Sequence, residues 1–383
     1  MALTITALFM VIAVLMANYV FDLKFNSIAK ENIHNTVKSN ARGANFLLIG
    51  SDTRAFVADP SEAQSFGSQS AAGGQRSDTL MVVHVEPKTE RALVVSFPRD
   101  LFVQVDSPDR TACIVITAGK CMAKINSAFN TGPDLVIKTL KENFNIDINH
   151  YIEINFKSFE GIVDAIGTVP VYFPYPARDH NTGLYTPTAG CQLLDGKGAL
   201  AYARARDLEY YSFPRAKWVK AEVTPDVDRI KRQQDFMKRL ANIAVQRSLS
   251  DPFTANGVID AVLSNLKVDT GLTKDDLLSF IDVFRHVNPN DSAHVDFQVF
   301  PWTNGPQKGG LSVLYPSQPA ADAMLARLRD FNGSTPAVAT TTTTAASTSS
   351  TAPGLVTTTT VTTPAPVANQ GQLGNQVVRV APC

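Results

Sequence analysis

Hydrophobic positions along the chain switch between a period of two residues and a period near 3.6, which indicates alternating strands and helices. Runs rich in β-branched residues predict strands at Asn45–Gly50, Thr79–Val85, Arg91–Phe97, His150–Phe156, Val169–Phe173 and His294–Phe300. The second and third are separated by Glu86-Pro87-Lys88-Thr89, which predicts a hairpin. Helical spacing predicts helices at Ala123–Asn143, Ser158–Ile166, Gly198–Arg206, Pro252–Ser264, Thr273–Val287 and Pro319–Phe331. Because the elements alternate without strict βαβ order, we expect an α/β fold with a mixed sheet covered on both faces.

One further helix is predicted to begin at Pro225, with the hydroxyl of Thr224 as its cap. Its apolar stripe consists of Ile230, Met237, Leu240, Ala241 and Ala244. A polar wedge beside that stripe consists of Asp228, Arg229, Arg232 and Gln233, whereas Lys231 points elsewhere. From the residues alone, this wedge is either a solvated face or an anion site, and both interpretations stay open.

The overall charge is balanced, with 35 basic and 35 acidic residues, so no general attraction to nucleic acid follows. An anion site must therefore come from local clustering. Arg204 and Arg206 form a second basic set upstream of the Pro225 helix. The six histidines and four cysteines show no close spacing typical of a zinc site.

The first 21 residues carry no charged side chain, and this uncharged stretch is long enough for a transmembrane helix. A cleaved signal peptide is the alternative, but the usual charged start and small-residue cleavage site are missing, so we favour an uncleaved anchor. The nearest cations, at Lys24, Lys30, Lys38 and Arg42, follow the span and would favour a cytoplasmic body. The cysteines and the tail favour an extracellular body instead, and long domains translocate largely regardless of charge. We expect the body outside the cell.

Cys113 and Cys121 lie eight residues apart around a short apolar segment and a Gly-Lys turn. This spacing suits a disulfide-closed hairpin in an oxidising compartment, although four ordinary buried thiols are the alternative. Cys191 and Cys383 are left over, and four cysteines allow three connectivities. From about Ser334 the composition is dominated by Thr, Ala, Ser, Val and Pro, which predicts a disordered extracellular spacer.

Three segments at the ends of predicted strands each pair an arginine with an aspartate: Asp52 with Arg54, Arg76 with Asp78, and Arg99 with Asp100. Lys124 and Asn126 follow at the next helix start. Arginine is a bidentate phosphate binder, and carboxylates suit Mg²⁺ or Mn²⁺ beside phosphate oxygens. No Gly-x-Ser-x-Gly elbow or histidine accompanies these groups. The inventory fits phosphoryl transfer by positioning and charge neutralisation, with structural ion pairs as the alternative.

In this order the segments resemble the LytR–CpsA–Psr family over about Gly43 to Leu240. The motifs that carry the resemblance are Asn45–Arg54, Arg76–Met81, Ser96–Asp100, Lys124–Asn126, Gly196–Arg206 and Asp228–Gln234. The resemblance implies an α/β/α sandwich on a single-pass anchor that faces outward, which supports the orientation chosen above.

Position by position, the resemblance implies that Asp52 and Asp78 hold a divalent metal, Mg²⁺ or Mn²⁺, beside a pyrophosphate. The arginines that it places around the phosphates are Arg76, Arg99, Arg204, Arg206, Arg229 and Arg232. Gln233 lies beside them, and Arg54, Lys124 and Asn126 complete the candidate substrate-binding set. Asp228 looks like a residue that orients an arginine or assists proton removal.

The implied activity is a Mg²⁺-dependent phosphotransferase of the cell membrane. It moves a phosphoglycan from a polyprenyl-pyrophosphate carrier onto a peptidoglycan hydroxyl, and the chain's partners would be this lipid-linked glycan, the peptidoglycan acceptor and the membrane. The alternatives are a pyrophosphatase acting on the same carrier and a non-catalytic scaffold that binds it. We expect an anchor at residues 1–21, a juxtamembrane segment at 22–42, the catalytic domain at 43–333 and a low-complexity tail at 334–383.

The chain departs from the family pattern at two glycine positions and in one insertion. Gly132-Pro133 and Gly167-Thr168 each lack a second glycine, which we expect to affect turns rather than chemistry. Residues 210–223 form the insertion, which carries four aromatic side chains. It shapes either an acceptor site or a surface loop, and the loop is the favoured interpretation.

Overall fold

The strands and helices that the hydrophobic pattern predicts are present close to their predicted bounds. The computed structural model describes residues 21–39, 43–51, 77–106, 113–222, 224–250, 252–285 and 294–329, with the backbone alone at residues 78, 248–250, 252–256 and 258. Its strands are β1 (Ala29–Glu31), β2 (Ala44–Ser51), β3 (Ser77–Glu86), β4 (Arg91–Ser96), β5 (Phe102–Gln104), β6 (Val115–Thr117), β7 (Lys120–Lys124), β8 (His150–Asn155), β9 (Val169–Phe173), β10 (Ala177–Asp179), β11 (Leu184–Thr186), β12 (Gly190–Leu194), β13 (Glu209–Ser212), β14 (Lys217–Lys220), β15 (Lys267–Asp269), β16 (Val295–Val299), β17 (Trp302–Asn304) and β18 (Leu314–Pro316). Its α-helices are α1 (Pro133–Phe144), α2 (Phe156–Ile166), α3 (Gly196–Arg204), α4 (Pro225–Ser250), α5 (Pro252–Ser264), α6 (Lys274–Phe284) and α7 (Ala320–Arg329).

The central sheet has the strand order β1-β15-β8-β2-β3-β4-β16. The pairs β1/β15, β8/β2 and β4/β16 are parallel, and the other neighbours are antiparallel. The predicted mixed sheet is therefore confirmed. The predicted hairpin is confirmed too, because β3 and β4 pair antiparallel up to Glu86 and Arg91 across the turn.

Successive residues of the central strands pack into two different hydrophobic clusters. Leu47 lies in a cluster with α1 and α7, whereas its neighbour Phe46 lies in a cluster with α5 and α6. A strand that is buried on both faces has a continuous run of apolar residues, and β2 has such a run in the sequence. Helices therefore cover both faces of the sheet, as expected.

Several strands end at one edge of this sheet. Ser51 at the end of β2 pairs with Asn155 at the end of β8, and Ser96 at the end of β4 pairs with Val299 at the end of β16. Ser51 also pairs with Ser77, where the antiparallel β3 begins. In open α/β sheets, ligands bind outside the carboxyl ends of the strands, so this edge is where a site is expected.

A smaller sheet in the order β11-β10-β13-β14 packs beside α3 and α4. Its strands β13 and β14 belong to the insertion at residues 210–223, for which a surface loop was the favoured interpretation. The segment lies at the surface, but it is not an irregular loop, because it forms an antiparallel hairpin around Phe213–Arg215. Tyr210, which is partly buried, packs against the cluster of α3 and α4 and so ties β13 to the body of the protein.

The predicted helix over Ala123–Asn143 is correct only in its second half. The chain leaves β7 as a 3-10 helix over Ile125–Asn130, and α1 begins at Pro133. Gly132 has a φ of 122°, a conformation that glycine adopts readily, and proline then fits the first helical turn. The glycine-proline pair therefore sets the start of α1.

The predicted disulfide between Cys113 and Cys121 is confirmed, and it closes the β6–β7 hairpin. Cys191 is also disulfide-bonded, whereas Cys383, its suggested partner, lies outside the described residues. Within the described ranges, no helix is both long enough and apolar enough to cross a membrane. The predicted anchor, apart from Phe21, and the predicted tail lie outside those ranges.

Candidate active site

Helix α4 begins at Pro225, as predicted, and Asp228 stabilises this beginning. Its Oδ2 accepts hydrogen bonds from the backbone N (3.0 Å) and the hydroxyl (3.1 Å) of Thr224. Its Oδ1 lies 3.6 Å from Nζ of Lys231. Asp228 therefore fixes the start of the helix that carries the arginines, and the arginine contacts that we expected of it are made by a different residue.

Asp226 makes those contacts. Its Oδ1 lies 3.0 Å from Nη2 of Arg229 and 3.0 Å from Nε of Arg99. Because both nitrogens lie so close to one oxygen, the two guanidiniums are within about 6 Å of each other, where like charges repel by about 3 kcal/mol at an effective dielectric of ~20. The carboxylate offsets this repulsion. Sequence reasoning missed Asp226, although its spacing of three residues from Arg229 on a helix is a usable signal.

Arg229 is among the most buried side chains of the protein, with only 1 % of its surface exposed. A guanidinium stays charged in proteins, so burying it requires a counter-charge. At Arg229, therefore, the polar wedge predicted on α4 is not a solvated face. Arg229 and Arg232 of this wedge are buried, whereas Asp228 and Gln233 are partly exposed.

A second set of contacts joins the Arg99 loop to the 3-10 helix. Lys124 Nζ lies 3.0 Å from Oδ1 of Asp100, and the backbone N of Asn126 donates to the carbonyl of Arg99 at 3.3 Å. Lys124, Asn126 and Arg99 are therefore brought together, as the sequence predicted.

Arg232 forms a separate buried pair one turn further along α4. Its guanidinium contacts the carboxylate of Glu222 and donates to the carbonyl of Ala205, and it lies over the ring of Tyr202. Burial lowers the pKa of Arg232 from its ordinary value, and burial likewise raises the pKa of Tyr202. Glu222 was not predicted, because nothing in its local sequence links it to an arginine ten positions away.

Arg204 and Arg206 diverge where α3 ends. The predicted helix over Gly198–Arg206 is shifted, because Asp195 caps Gly198 at 2.8 Å and the helix stops at Arg204. The guanidinium of Arg204 lies 4.2 Å from the ring centre of Phe156, directly after the end of β8. Arg206 is exposed.

The turn that carries Arg206 is held by Asp179, a buried carboxylate. Its Oδ2 accepts from the backbone N of Arg206 at 2.9 Å and of Asp207 at 2.8 Å, and its Oδ1 accepts from Asn181 and Thr182. Four backbone donors to one carboxylate fix this turn firmly.

The side-chain amide of Gln233 connects three elements. It donates to the carbonyl of Ala203 at 3.0 Å, and its oxygen accepts from the hydroxyl of Thr79 at 3.1 Å. Gln233 thus connects α4 to α3 and β3, with its amide engaged by the protein.

In sequence, the candidate metal ligands lie just after β2 and at the beginning of β3. Asp52, Arg54 and Arg76 lie outside the described residues, and only the backbone of Asp78 is described. Ser51 directly precedes Asp52, and Ser77 directly precedes Asp78. The two serines pair across β2 and β3. Within the described ranges, no cluster of His, Cys, Asp and Glu side chains is arranged to hold a metal ion.

Comparison with known proteins agrees with this architecture. The sequence model of the LytR_cpsA_psr family matches residues 15–330. A "Probable cell wall biosynthesis protein LcpB" of Corynebacterium glutamicum is 32% identical over 238 residues, which cover 62% of this chain and 50% of that protein. A polyisoprenyl-teichoic acid–peptidoglycan teichoic acid transferase, TagU, of Oceanobacillus iheyensis is 30% identical over 206 residues, covering 52% of this chain and 55% of that protein.

The chain thus spans about half the length of these two relatives. Among solved structures, a LytR-Csp2A-Psr enzyme from Actinomyces oris superposes with a TM-score of 0.59 at 22% identity, covering 79% of this chain and 95% of that one. At this identity the superposition shows that the two chains share a fold.

Proposed function

The chain belongs to the LytR_cpsA_psr family, and from this premise we propose that it transfers a phosphoglycan from a polyprenyl-pyrophosphate carrier to a hydroxyl of peptidoglycan. The observation that carries the proposal is the carboxylate of Asp226 shared by two guanidiniums, that of the buried Arg229 and that of Arg99, which is 20% exposed at the edge where the strands end. Guanidiniums held inside the protein are suited to a multivalent anion such as a pyrophosphate.

In the proposed reaction, an acceptor hydroxyl attacks the phosphorus that carries the glycan. The bond from that phosphorus to the bridging oxygen breaks, so a phosphodiester forms and polyprenyl phosphate leaves. The hydroxyl proton passes to a base, for which Asp228 stays the candidate. The arginines neutralise charge on the phosphoryl oxygens and the leaving group, which is the main requirement of phosphoryl transfer.

A divalent cation fits the donor chemistry of Asp52 and Asp78, because carboxylates and phosphate oxygens are the ligands that Mg²⁺ prefers. When bound, it would neutralise charge on the pyrophosphate. We further propose that the body lies outside the cell on a single-pass anchor. The disulfide between Cys113 and Cys121 supports this location, since disulfides persist in oxidising compartments.

Product analysis tests the proposal. The full chain in detergent micelles is incubated with a short polyprenyl-pyrophosphoryl glycan and Mg²⁺, with and without soluble peptidoglycan fragments. A transferase gives a joined phosphodiester product that mass spectrometry detects only when the acceptor is present. Release of polyprenyl phosphate with water as the sole acceptor would indicate a pyrophosphatase instead. Binding of the carrier without any cleavage would indicate a scaffold.

A further inference from the structure

One face of the small sheet β11-β10-β13-β14 displays aromatic and charged side chains. Arg178 on β10 pairs with Tyr185 on one side and with Glu209 on the other. Tyr211, two residues beyond Glu209, pairs with Trp218. Directly paired residues point to the same side of a sheet, so these five side chains share one face, which we call the aromatic face. The opposite face packs against the cluster of α3 and α4.

The rings at this face are open to solvent to different degrees, with Tyr211 and Trp218 partly buried. Tyr211 meets Trp218 edge to face at 5.5 Å and meets Phe213, at the tip of the hairpin, edge to face at 5.3 Å. Tyr185 is 65% exposed and Phe213 is 64% exposed. Large exposed aromatic side chains grouped in this way mark a binding surface rather than a core.

The charges on this face are already paired. The guanidinium of Arg178 lies 4.3 Å from the ring centre of Trp218, and its Nε lies 2.7 Å from Oε2 of Glu209. A phosphate-rich polymer would require an excess of cations, as at Asp226, which two guanidiniums share, whereas Arg178 has a carboxylate of its own in Glu209. Rings beside fixed polar groups suit a saccharide instead, because the C–H face of a pyranose packs on an aromatic ring while its hydroxyl and acetamido groups accept and donate hydrogen bonds.

The aromatic face adjoins the segments that carry Arg206 and Arg232. Lys220, the last residue of β14, lies 3.3 Å from Asp207, which directly follows Arg206. Two residues beyond Lys220, Glu222 contacts the buried Arg232. A glycan on the face would therefore lie close to Arg206 and to the segment that leads to Arg232.

We propose that the aromatic face binds the glycan strand of the peptidoglycan acceptor. This inference rests on the proposed function, since it assigns the second substrate of that reaction to this surface.

The test measures binding without the lipid-linked donor. The probe is a soluble tetrasaccharide of β-1,4-linked amino sugars prepared from peptidoglycan, titrated into the full chain in detergent micelles. The chain contains two tryptophans, so a Trp302→Phe background leaves Trp218 as the reporter of fluorescence. We expect the double variant Tyr185→Ala, Phe213→Ala to weaken binding by about tenfold or more. Leu193→Ala, which removes an apolar side chain 69% exposed outside this face, should leave binding unchanged.

The outcomes separate this inference from the proposed function. Unchanged affinity in the double variant, or no saturable binding by the Trp302→Phe protein, would overturn the inference. A double variant that loses affinity for the lipid-linked donor and keeps affinity for the tetrasaccharide would overturn the choice of acceptor. Saccharide binding that depends on the two rings, in a chain that fails to form the joined product, would support the inference and contradict the proposed function alone.

Discussion

Oδ1 of Asp226 lies 3.0 Å from Nη2 of Arg229, one turn further along the same helix. The same oxygen lies 3.0 Å from Nε of Arg99, which follows β4. One carboxylate thus positions two guanidiniums that come from distant parts of the chain. The arginines are held in place before any anion binds, which is the arrangement that electrostatic catalysis requires.

We expect Asp226→Asn to lower the free energy of unfolding by about 2–3 kcal/mol, because the buried Arg229 loses its counter-charge. Urea unfolding followed by circular dichroism measures this change. Asp235→Asn is the matched control on the same helix, since the carboxylate of Asp235 is 46% exposed and pairs with Arg239. Its effect should stay below about 1 kcal/mol. If the two variants lost equal free energy of unfolding, Asp226 would contribute no more to stability than a surface ion pair.

Arg229→Lys should reduce the turnover of glycopolymer transfer by about 10²-fold or more, because lysine keeps the charge and loses the planar, bidentate geometry. Lysine is a sharper test than alanine, since alanine would leave Asp226 without the Arg229 cation and destabilise the protein as well. Initial rates of joined product are compared with melting temperatures of the same samples. Near-normal turnover in a folded variant would remove Arg229 from the mechanism.

Lys231→Ala should be close to silent in both assays. Its side chain is 56% exposed and contacts Asp228 at 3.6 Å, and such surface ion pairs contribute about 0–1 kcal/mol. The variant is also the natural partner for Arg229→Lys, because both change a basic residue in the same part of α4. A large loss of transfer in Lys231→Ala would mean that the exposed side of the helix also faces the substrate.

Replacing Cys113 and Cys121 together by serine should lower the free energy of unfolding by about 2–3 kcal/mol, as the chain-entropy account predicts for a loop of this size. The bridge spans a separation of eight residues and holds the hairpin that leads to Lys124. The paired variant is preferable to a reducing agent, because Cys191 is disulfide-bonded too. Denaturant unfolding measures the change, and an unaltered midpoint would contradict it.

The elements of the fold were predictable where the pattern of burial is local. The apolar run of β2 and the stripe on α4 appear at the predicted places because each follows from which residues of the element itself are buried. The hairpin β13–β14 was missed because its strands have only four residues each and show no alternation of buried and exposed positions.

The site was predictable in its residue types and less so in its contacts. Asp226 and Asp228 both lie in the first turn of α4, and their side chains point about 200° apart around the helix. Only the position of Arg99, which depends on the whole sheet, decides which of them meets the arginines. For the same reason, the sequence could not show that Gln233 binds Thr79 or that Arg229 is buried.

Removal of divalent metal should abolish transfer, and added Mg²⁺ should restore it, if Asp52 and Asp78 hold the cation. Each aspartate follows in sequence a serine of the pair Ser51–Ser77, and that pair lies at the edge of the sheet where β4 ends before Arg99. Asp78→Asn should raise the Mg²⁺ concentration for half-maximal transfer by about 10- to 100-fold, because it removes one of few protein ligands. Calorimetric titration of Mg²⁺ into the full chain with the lipid-linked donor provides a readout independent of turnover, and Asp235→Asn serves as the control. Full transfer in the presence of EDTA would exclude a required metal and leave charge neutralisation to the arginines alone.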